Sequence, residues 1–162
     1  MMKLVILIVT LVVALDQLTK QFITRTMELG DSNPIIDNFL YITYHRNSGA
    51  AFGILQGRMI FFYIITAIAI IGIVIWLSKL NLKEEKLLAI ALALILGGAV
   101  GNFIDRVIYQ SVIDFVYTRW WGYSFPIFNV ADVALTIGGI LMALDMMILD
   151  RLRSKDLYFK ID

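Results

Sequence analysis

The sequence has no cysteine and a single histidine, His45. The missing cysteine excludes disulfide bonds, thiolate nucleophiles and cysteine-ligated metals. One histidine, without an H-E-x-x-H motif, also excludes the histidine-rich metal sites. No serine stands in a G-x-S-x-G turn, so a Ser–His–Asp triad is not indicated, although a Ser–Lys dyad remains open. Its members would be Lys20 with Ser48, Ser111 or Ser124.

Charge is also scarce, at 17% of residues, whereas 60% are hydrophobic. A soluble domain has about 25% charged residues. The apolar residues gather in four segments, each approaching the ~20 residues that a helix needs to cross a bilayer, and they lack the period-two alternation of a membrane barrel. We therefore predict a single integral-membrane domain, residues 1–162, of the all-α class. The predicted transmembrane helices are 4–23, 59–77, 87–104 and 130–149, and the long outer loops are 24–58 and 105–129.

Basic residues are unevenly divided between the two sides that four crossings define. Four crossings place both termini on one side, which would carry eight of the 14 basic residues, against six on the other. The positive-inside rule therefore predicts cytoplasmic termini, N-in and C-in. The net charge of +1, without a basic stripe, gives no indication of nucleic-acid binding. The eight residues are Lys3, Lys79, Lys83, Lys86, Arg151, Arg153, Lys155 and Lys160.

Polar residues interrupt three of the predicted helices near their outer ends. The sets are Asp16 with Lys20, Asn102 with Asp105 and Arg106, and Asn129 with Asp132. Members of each set are three or four residues apart and share a helix face. An ionisable group in a membrane helix costs about 2.5–3.5 kcal/mol, so such groups persist where they pair, snorkel or line a site. Structural pairing, as of Asp16 with Lys20 or Asp105 with Arg106, and a common site both remain open.

The outer loops add a strand and further carboxylate. "FLYITYHR" (39–46) is aromatic and β-branched and predicts a strand. Asp114 lies in the apolar stretch "VIDFV". Two carboxylates close together do not both ionise readily, so one can serve as a base and the other as an acid. The alternative is a small transporter or channel subunit with an ion path, although the middles of helices two to four are almost wholly apolar. The outer carboxylates are Asp16, Asp105, Asp114 and Asp132.

Five motifs carry these polar residues. They are "DQLTK" (16–20), "NSGAAFG" (47–53), "GGAVGNFIDR" (97–106), "VIDF" (112–115) and "FNVAD" (128–132). In this order and number they resemble the lipoprotein signal peptidases, the signal peptidase II family. The resemblance covers nearly the whole chain and includes every polar position of the motifs.

The resemblance implies a fold and an activity. The fold is four transmembrane helices with an extracytoplasmic β-cradle and a short helix. The activity is cleavage of prolipoprotein signal peptides just before a diacylglyceryl-modified cysteine, at the outer face of the bacterial cytoplasmic membrane. The resemblance implies no metal and no cofactor. We expect a monomer whose partners are these precursors and membrane lipid, not nucleic acid.

The resemblance also implies site residues. The catalytic aspartates map onto Asp114 and Asp132. The remaining positions map onto Asp16, Lys20, Asn47, Asn102, Arg106 and Asn129. We expect Arg106 and Asn47 to hold substrate carbonyls, and Asn102 and Asn129 to fix the carboxylates. Asp16 and Lys20 are expected to support the structure of the site.

Overall fold

Four long helices form the body of the protein. The computed structural model describes residues 1–49 and 57–149. Within those residues, four helices are long and apolar enough to cross a membrane, which agrees with the four predicted segments. They are α1 (Met2–Thr26), α2 (Met59–Lys79), α3 (Lys86–Tyr109) and α4 (Val130–Leu144), which continues into a π-helical turn, Asp145–Leu149.

Helix α3 lies at the centre and packs against each of the other three helices. Its inward face carries small, fully buried residues such as Ala89 and Ala91. A Cβ atom at Gly98 would lie 2.5 Å from the carbonyl oxygen of Ala131 in α4, and one at Gly138 would lie 2.8 Å from that of Ala91. Only glycine permits backbones to approach so closely. The backbones of α3 and α4 are therefore in close contact at Gly98 and Gly138.

An antiparallel sheet lies against one end of the bundle. Its strands β1 (Ser32–Ile36), β2 (Leu40–Asn47), β3 (Val112–Trp120) and β4 (Tyr123–Ser124) pair in that order. Ile23 of α1 packs with Tyr44, Ile113 and Phe115 in one apolar cluster. This cluster attaches the sheet to the end of α1, and β3 follows directly from the end of α3.

Two tight turns close the hairpins of this sheet. Asn38, between β1 and β2, has φ of 60°, a conformation that asparagine tolerates better than most residues. Between β3 and β4, Trp121 and Gly122 have φ of 44° and 85°. Positive φ at both central residues is the turn that matches the twist of a two-residue hairpin. The turn leaves the Trp121 side chain fully exposed.

The sheet corrects the predicted class. The strand predicted from "FLYITYHR" is confirmed as β2, but a fold with four strands is not all-α. Both predicted outer loops contribute to it, since Asn47 of the first pairs with Val112 of the second. β-branched and aromatic side chains on facing strands stabilise such pairing. The fold is a helical bundle with an added antiparallel sheet.

Helix bounds differ from the hydropathy-based ones at the polar ends. Helix α3 continues to Tyr109, past its predicted end at 104, because Asp105 and Arg106 turn towards partners inside the protein while the backbone stays helical. The short helix implied by the resemblance does not occur in residues 1–49 or 57–149. Part of "NSGAAFG" and the basic C-terminal residues lie outside the described residues. The N-in orientation stays a prediction.

Candidate active site

A cavity of about 950 Å³ opens where the sheet meets the ends of α3 and α4. Its polar lining includes Asn47, Asn102, Arg106, Asp114 and Asp132, together with His45, Arg46, Ser124 and Thr136. The rest of its wall is largely apolar and comes from the segment before α4 and the first turns of that helix. A largely apolar cavity with a few convergent polar groups is the usual form of a ligand or substrate site.

Two aspartates from different elements line this cavity. Asp114 is the third residue of β3 and is 2% exposed. Asp132 lies in the first turn of α4 and is half-buried. Asn129 links them: its amide nitrogen donates to Asp114 Oδ1 at 2.7 Å, and its backbone N–H donates to Asp132 Oδ2 at 3.2 Å. The 17 residues between the two aspartates include the β3–β4 hairpin, which brings the start of α4 back to the beginning of β3.

Three asparagine amides are oriented towards these carboxylates by groups that can only donate. The side-chain Oδ1 of Asn129 accepts the backbone N–H of Asp132 at 3.0 Å, and Oδ1 of Asn47 accepts the backbone N–H of Gly49 at 2.9 Å. Because each oxygen is occupied by a donor, each NH₂ group is turned towards a carboxylate. Asn47 Nδ2 then donates to Asp114 Oδ2 at 3.1 Å.

The third asparagine, Asn102, is oriented by a buried lysine. Its oxygen accepts from Lys20 Nζ at 3.0 Å and from Asn129 Nδ2 at 3.1 Å. Its own Nδ2 donates to Asp132 Oδ1 at 2.8 Å. An ammonium group has no acceptor, so Lys20 fixes which end of the Asn102 amide reaches Asp132. The chain of contacts runs from Lys20 to both aspartates.

Behind the cavity, Lys20 lies between two buried carboxylates. Its Nζ atom is 2.8 Å from Asp16 Oδ2 and 2.9 Å from Asp105 Oδ2, and all three side chains are at most 1% exposed. With the bond to Asn102, each of the three ammonium hydrogens has an acceptor. A buried charge is tolerated when it is paired and its remaining hydrogen bonds are satisfied.

The same carboxylates fix the surrounding backbone. Asp16 Oδ1 accepts the N–H of Ala131 in the first turn of α4 at 3.0 Å. Asp105 Oδ2 accepts the N–H of Ile113, the residue before Asp114, at 3.0 Å. The cluster therefore ties α1 and α3 to the two segments that carry the aspartates.

Arg106 lies at the cavity wall, and most of its donors have no acceptor in the part of the chain that the structure describes. One nitrogen donates to the carbonyl oxygen of Asn102 at a long 3.4 Å. Its Nε is buried and has no hydrogen-bond partner among the described residues. Its guanidinium lies over the ring of Phe62, 5.0 Å from the centroid. The group can thus donate to a ligand in the cavity.

The pKa of Asp114 is strongly raised. Burial, and after it the nearby charge of Asp132, raise the pKa of the Asp114 carboxyl from its ordinary 3.8 to about 7. Hydrogen bonds from Asn47 and Asn129 and the charge of Lys20 act in the opposite direction. Asp114 is therefore protonated below about pH 7.

The structure brings all eight sequence-predicted site residues into one region, in two layers. Asn47, Asn102, Arg106, Asp114, Asn129 and Asp132 form the cavity layer, and Asp16 with Lys20 lies behind it. The Asn47 amide donates one hydrogen bond to Asp114, and its expected contact with a substrate carbonyl stays a prediction. The Asp16–Lys20 pair occurs as expected, but Asp105 pairs with Lys20 and not with Arg106.

Two residues of the buried Lys20 cluster, Gln17 and Asp105, were not among the predicted site residues. Gln17 Nε2 donates to Asp105 Oδ1 at 2.9 Å and to the carbonyl oxygen of Gly101 at 3.1 Å. Their position in the motifs could have identified them, since Gln17 lies in "DQLTK" and Asp105 in "NFIDR". Within residues 1–49 and 57–149, no three His, Asp or Glu residues are grouped as metal ligands, and metal independence stays a prediction.

Four helices long and apolar enough to cross a membrane, with a carboxylate pair at one end of the bundle, define a class, the multi-pass membrane proteins with a polar site. The chain belongs to the signal peptidase II family, since the model of the family described as "Signal peptidase (SPase) II" matches residues 8–148. The predicted family is thereby confirmed.

Similar proteins extend over nearly the full length of the chain. A lipoprotein signal peptidase of Bacillus pumilus is 55% identical over 150 residues, covering 93% of this chain and 96% of that protein. One of Listeria welshimeri is 53% identical, covering 90% and 94%. A solved structure of a bacterial membrane enzyme is 47% identical with a TM-score of 0.82, covering 94% of this chain and 92% of that one.

Proposed function

We propose that this protein is an aspartic endopeptidase that removes signal peptides from lipoprotein precursors, cutting just before a diacylglyceryl-modified cysteine. The observation that carries the proposal is the pair Asp114 and Asp132, held by Asn129 at a cavity beside four membrane-crossing helices. Membership of the signal peptidase II family supports the substrate class.

The two aspartates have different environments and, we propose, different roles. Asp132 is half-buried at the N-terminus of α4, where the helix dipole stabilises negative charge. It is assigned as the ionised base. Asp114 is buried with a pKa of about 7 and is assigned as the acid. Pairs of carboxylates whose environments differ in this way divide acid and base work.

The proposed reaction uses water directly. Asp132 takes a proton from a water molecule as its oxygen forms a bond to the scissile carbonyl carbon. Asp114 hydrogen-bonds the carbonyl oxygen and then gives its proton to the leaving nitrogen as the C–N bond breaks. The products are the amine of the modified cysteine and the signal peptide's new carboxylic acid, which ionises by releasing its proton to solvent. Passage of the proton from Asp132 to Asp114 restores the starting state, and no acyl-enzyme forms.

Arg106 is proposed to bind the substrate backbone. Its guanidinium lines the cavity and, among residues 1–49 and 57–149, makes one long hydrogen bond. Planar, forked donors suit carbonyl oxygens and the charge that develops on them during attack. Asn47 donates one of its two amide hydrogens to Asp114, which leaves the second for a substrate carbonyl, so both residues are proposed for this role.

The cavity wall also suits an apolar substrate. Side chains of α4 such as Val133, Leu135 and Ile137 line it beside the polar groups. A signal peptide anchored by an apolar helix and acyl chains would present its scissile bond at the membrane surface. With both termini cytoplasmic, as the basic residues predict, the site lies at the extracytoplasmic face.

The test is cleavage of a synthetic diacylglyceryl-modified precursor peptide by the purified full-length protein in detergent, followed by mass spectrometry. We expect one cut before the modified cysteine, no cut of the unmodified peptide, and full activity in EDTA. Activity lost in EDTA and restored by zinc or magnesium would overturn the metal-free mechanism. Ion flux in proteoliposomes without cleavage would favour a transporter instead.

A further inference from the structure

Helix α2 contacts Arg106 of the site through two neighbouring side chains, Phe62 and Tyr63. Most of α2 is exposed apolar surface, with Ile60, Ile64 and Ile68 each more than half exposed. Its buried side chains are Phe62 and Leu77. Fifteen positions apart, close to four helical turns, they lie on the same face. Leu77 packs in an apolar cluster with α1 and α3, whereas Phe62 packs against the guanidinium of Arg106.

Phe62 supplies the face of its ring to the guanidinium of Arg106. The ring centroid is 5.0 Å from Arg106 Cζ, and the Phe62 side chain is 7% exposed. This distance is within the range of cation–π attraction, which is stronger where water is excluded. The buried Nε of Arg106 has no oxygen acceptor among the described residues, so the ring is the group that compensates this side of the cation.

The neighbouring residue holds the backbone of Arg106. The Tyr63 hydroxyl donates to the carbonyl oxygen of Arg106 at 2.8 Å. The Tyr63 ring in turn packs edge-to-face on Phe103 of α3, with 6.3 Å between centroids. The first turns of α2 therefore constrain both the main chain and the side chain of Arg106.

Without the Phe62 ring, electrostatic attraction would favour an ion pair between Arg106 and the aspartates. Its charge is attracted by Asp132 and Asp114, yet it forms no ion pair with a carboxylate among the described residues. An ion pair with Asp132 would occupy the donors and neutralise the proposed base. Held over the Phe62 ring, the guanidinium instead stays at the cavity wall without an ion pair to a described carboxylate.

We propose that Phe62 is a positioning residue: its ring holds the Arg106 guanidinium in the orientation that binds the substrate carbonyl and away from Asp132. The proposal rests on the carbonyl-binding role assigned to Arg106 under the proposed function. Phe62 acts through Arg106 and does not itself contact the reacting atoms.

The first test compares Phe62→Leu and Phe62→Trp on the modified precursor peptide. Leucine keeps an apolar side chain but lacks the ring, and we expect kcat to fall about tenfold with little change in KM. Tryptophan offers a stronger ring face and should keep at least half of the wild-type kcat. The control Phe22→Leu makes the same change on an exposed ring of α1 and should leave kcat unchanged. Wild-type kcat in Phe62→Leu would overturn the proposal.

A double-mutant cycle separates positioning from general packing. If Phe62 acts through Arg106, adding Phe62→Leu to Arg106→Lys should lower kcat less than twofold further, whereas independent effects would multiply. A multiplied loss overturns the proposal. If Arg106→Lys is itself fully active, the role of Arg106 fails, and this inference fails with it. If Arg106→Lys is inactive and Phe62→Leu is not impaired, this inference alone fails.

A shape-preserving variant covers the case in which Phe62→Leu does not fold. Ring-fluorinated phenylalanines placed at position 62 keep the shape while progressively weakening the negative face of the ring. We expect kcat to fall stepwise with fluorination, at an unchanged unfolding temperature. Activity that is insensitive to fluorination would show that the ring only fills space and would overturn the proposal.

Discussion

Asn129 donates its side-chain amide to Asp114 Oδ1 at 2.7 Å, and this bond joins strand β3 to the start of α4. The same residue caps α4: its Oδ1 accepts the N–H of Asp132 at 3.0 Å, while Asp132 Oδ2 accepts the N–H of Asn129 at 3.2 Å. One side chain thus fixes the first turn of a helix and the relative position of two carboxylates. The two roles can be separated.

Replacing Asn129 by serine should keep the N-cap of α4 and lose the hydrogen bond from Asn129 to Asp114. Serine is a good N-cap, whereas Asn129→Ala loses about 1 kcal/mol more. Both variants lose the donor to Asp114, and we expect each to lose about 100-fold or more in kcat. Thermal unfolding in detergent should place Asn129→Ser above Asn129→Ala. A serine variant with wild-type kcat would contradict the bridging role.

The aspartates themselves should act as a unit. Asp114→Asn and Asp132→Asn each remove an ionisable group with little change of shape, and we expect a loss of about 10²–10⁴-fold in rate for each. The double variant should be little slower than either single one. Asp37→Asn, on an exposed turn, is the matched control and should be fully active. Substantial turnover by a folded single variant would make the assignment untenable.

The pH dependence of cleavage should report the protonation of Asp114. With a pKa of about 7, the acid form is lost above this pH, so kcat/KM should fall about tenfold per pH unit on the alkaline side. A rate that instead rises through pH 7 would exchange the roles of the two aspartates. The charged or titratable groups nearest Asp114 are Asp132 on α4, Lys20 on α1, Asp105 and Arg106 on α3, and His45 on β2.

The same raised pKa predicts how stability changes with pH. Folded Asp114 binds its proton more tightly than the unfolded chain does, so its contribution is fully present below about pH 4 and is lost as the pH rises through about 7. Asp114→Asn removes this dependence. The free energy of unfolding of the variant relative to the wild type should therefore increase from pH 5 to pH 8, as measured by denaturant unfolding. A constant difference would show that the pKa is not raised.

Gly98 and Gly139 offer a matched pair for helix packing. A Cβ at Gly98 meets the Ala131 carbonyl oxygen at 2.5 Å and Leu135 Cγ at 2.8 Å, whereas one at Gly139 meets nothing within 4 Å. We expect Gly98→Ala to destabilise the protein by about 1–3 kcal/mol and to lower activity, because α4 carries Asp132. Gly139→Ala should stabilise by about 0.5–1 kcal/mol. Equal effects on unfolding would contradict the packing described.

Orientation in the membrane can be read from single cysteines, since the chain has none of its own. Ile35→Cys and Trp120→Cys lie at exposed positions of the sheet, and Lys83→Cys lies at an exposed position between α2 and α3. An impermeant thiol reagent added outside cells should label the first two. The third should react only after permeabilisation. The reverse pattern would place both termini outside.

The number of helices and most of the candidate site follow from the sequence by itself. Apolar runs of bilayer length leave few alternatives to membrane helices, and three- and four-residue spacing places Asp16 and Lys20 on one face. Charged residues inside apolar helices indicate a site, because burying them is costly without partners. The family motifs then identify Asp114 and Asp132 within that set.

Only the tertiary structure decided how these residues are paired. From the sequence, Asp105 could pair with its neighbour Arg106. In the fold, Asp105 forms an ion pair with Lys20, 85 positions earlier, and the Arg106 guanidinium lies over the Phe62 ring. The two outer loops pair into one sheet through contacts between distant segments. The orientation of Asn102 likewise depends on a donor from a distant segment, Lys20. Spacing determines which side chains share a helix face, whereas the packing of α3 against α1, α2 and α4 determines which partner each buried charge meets.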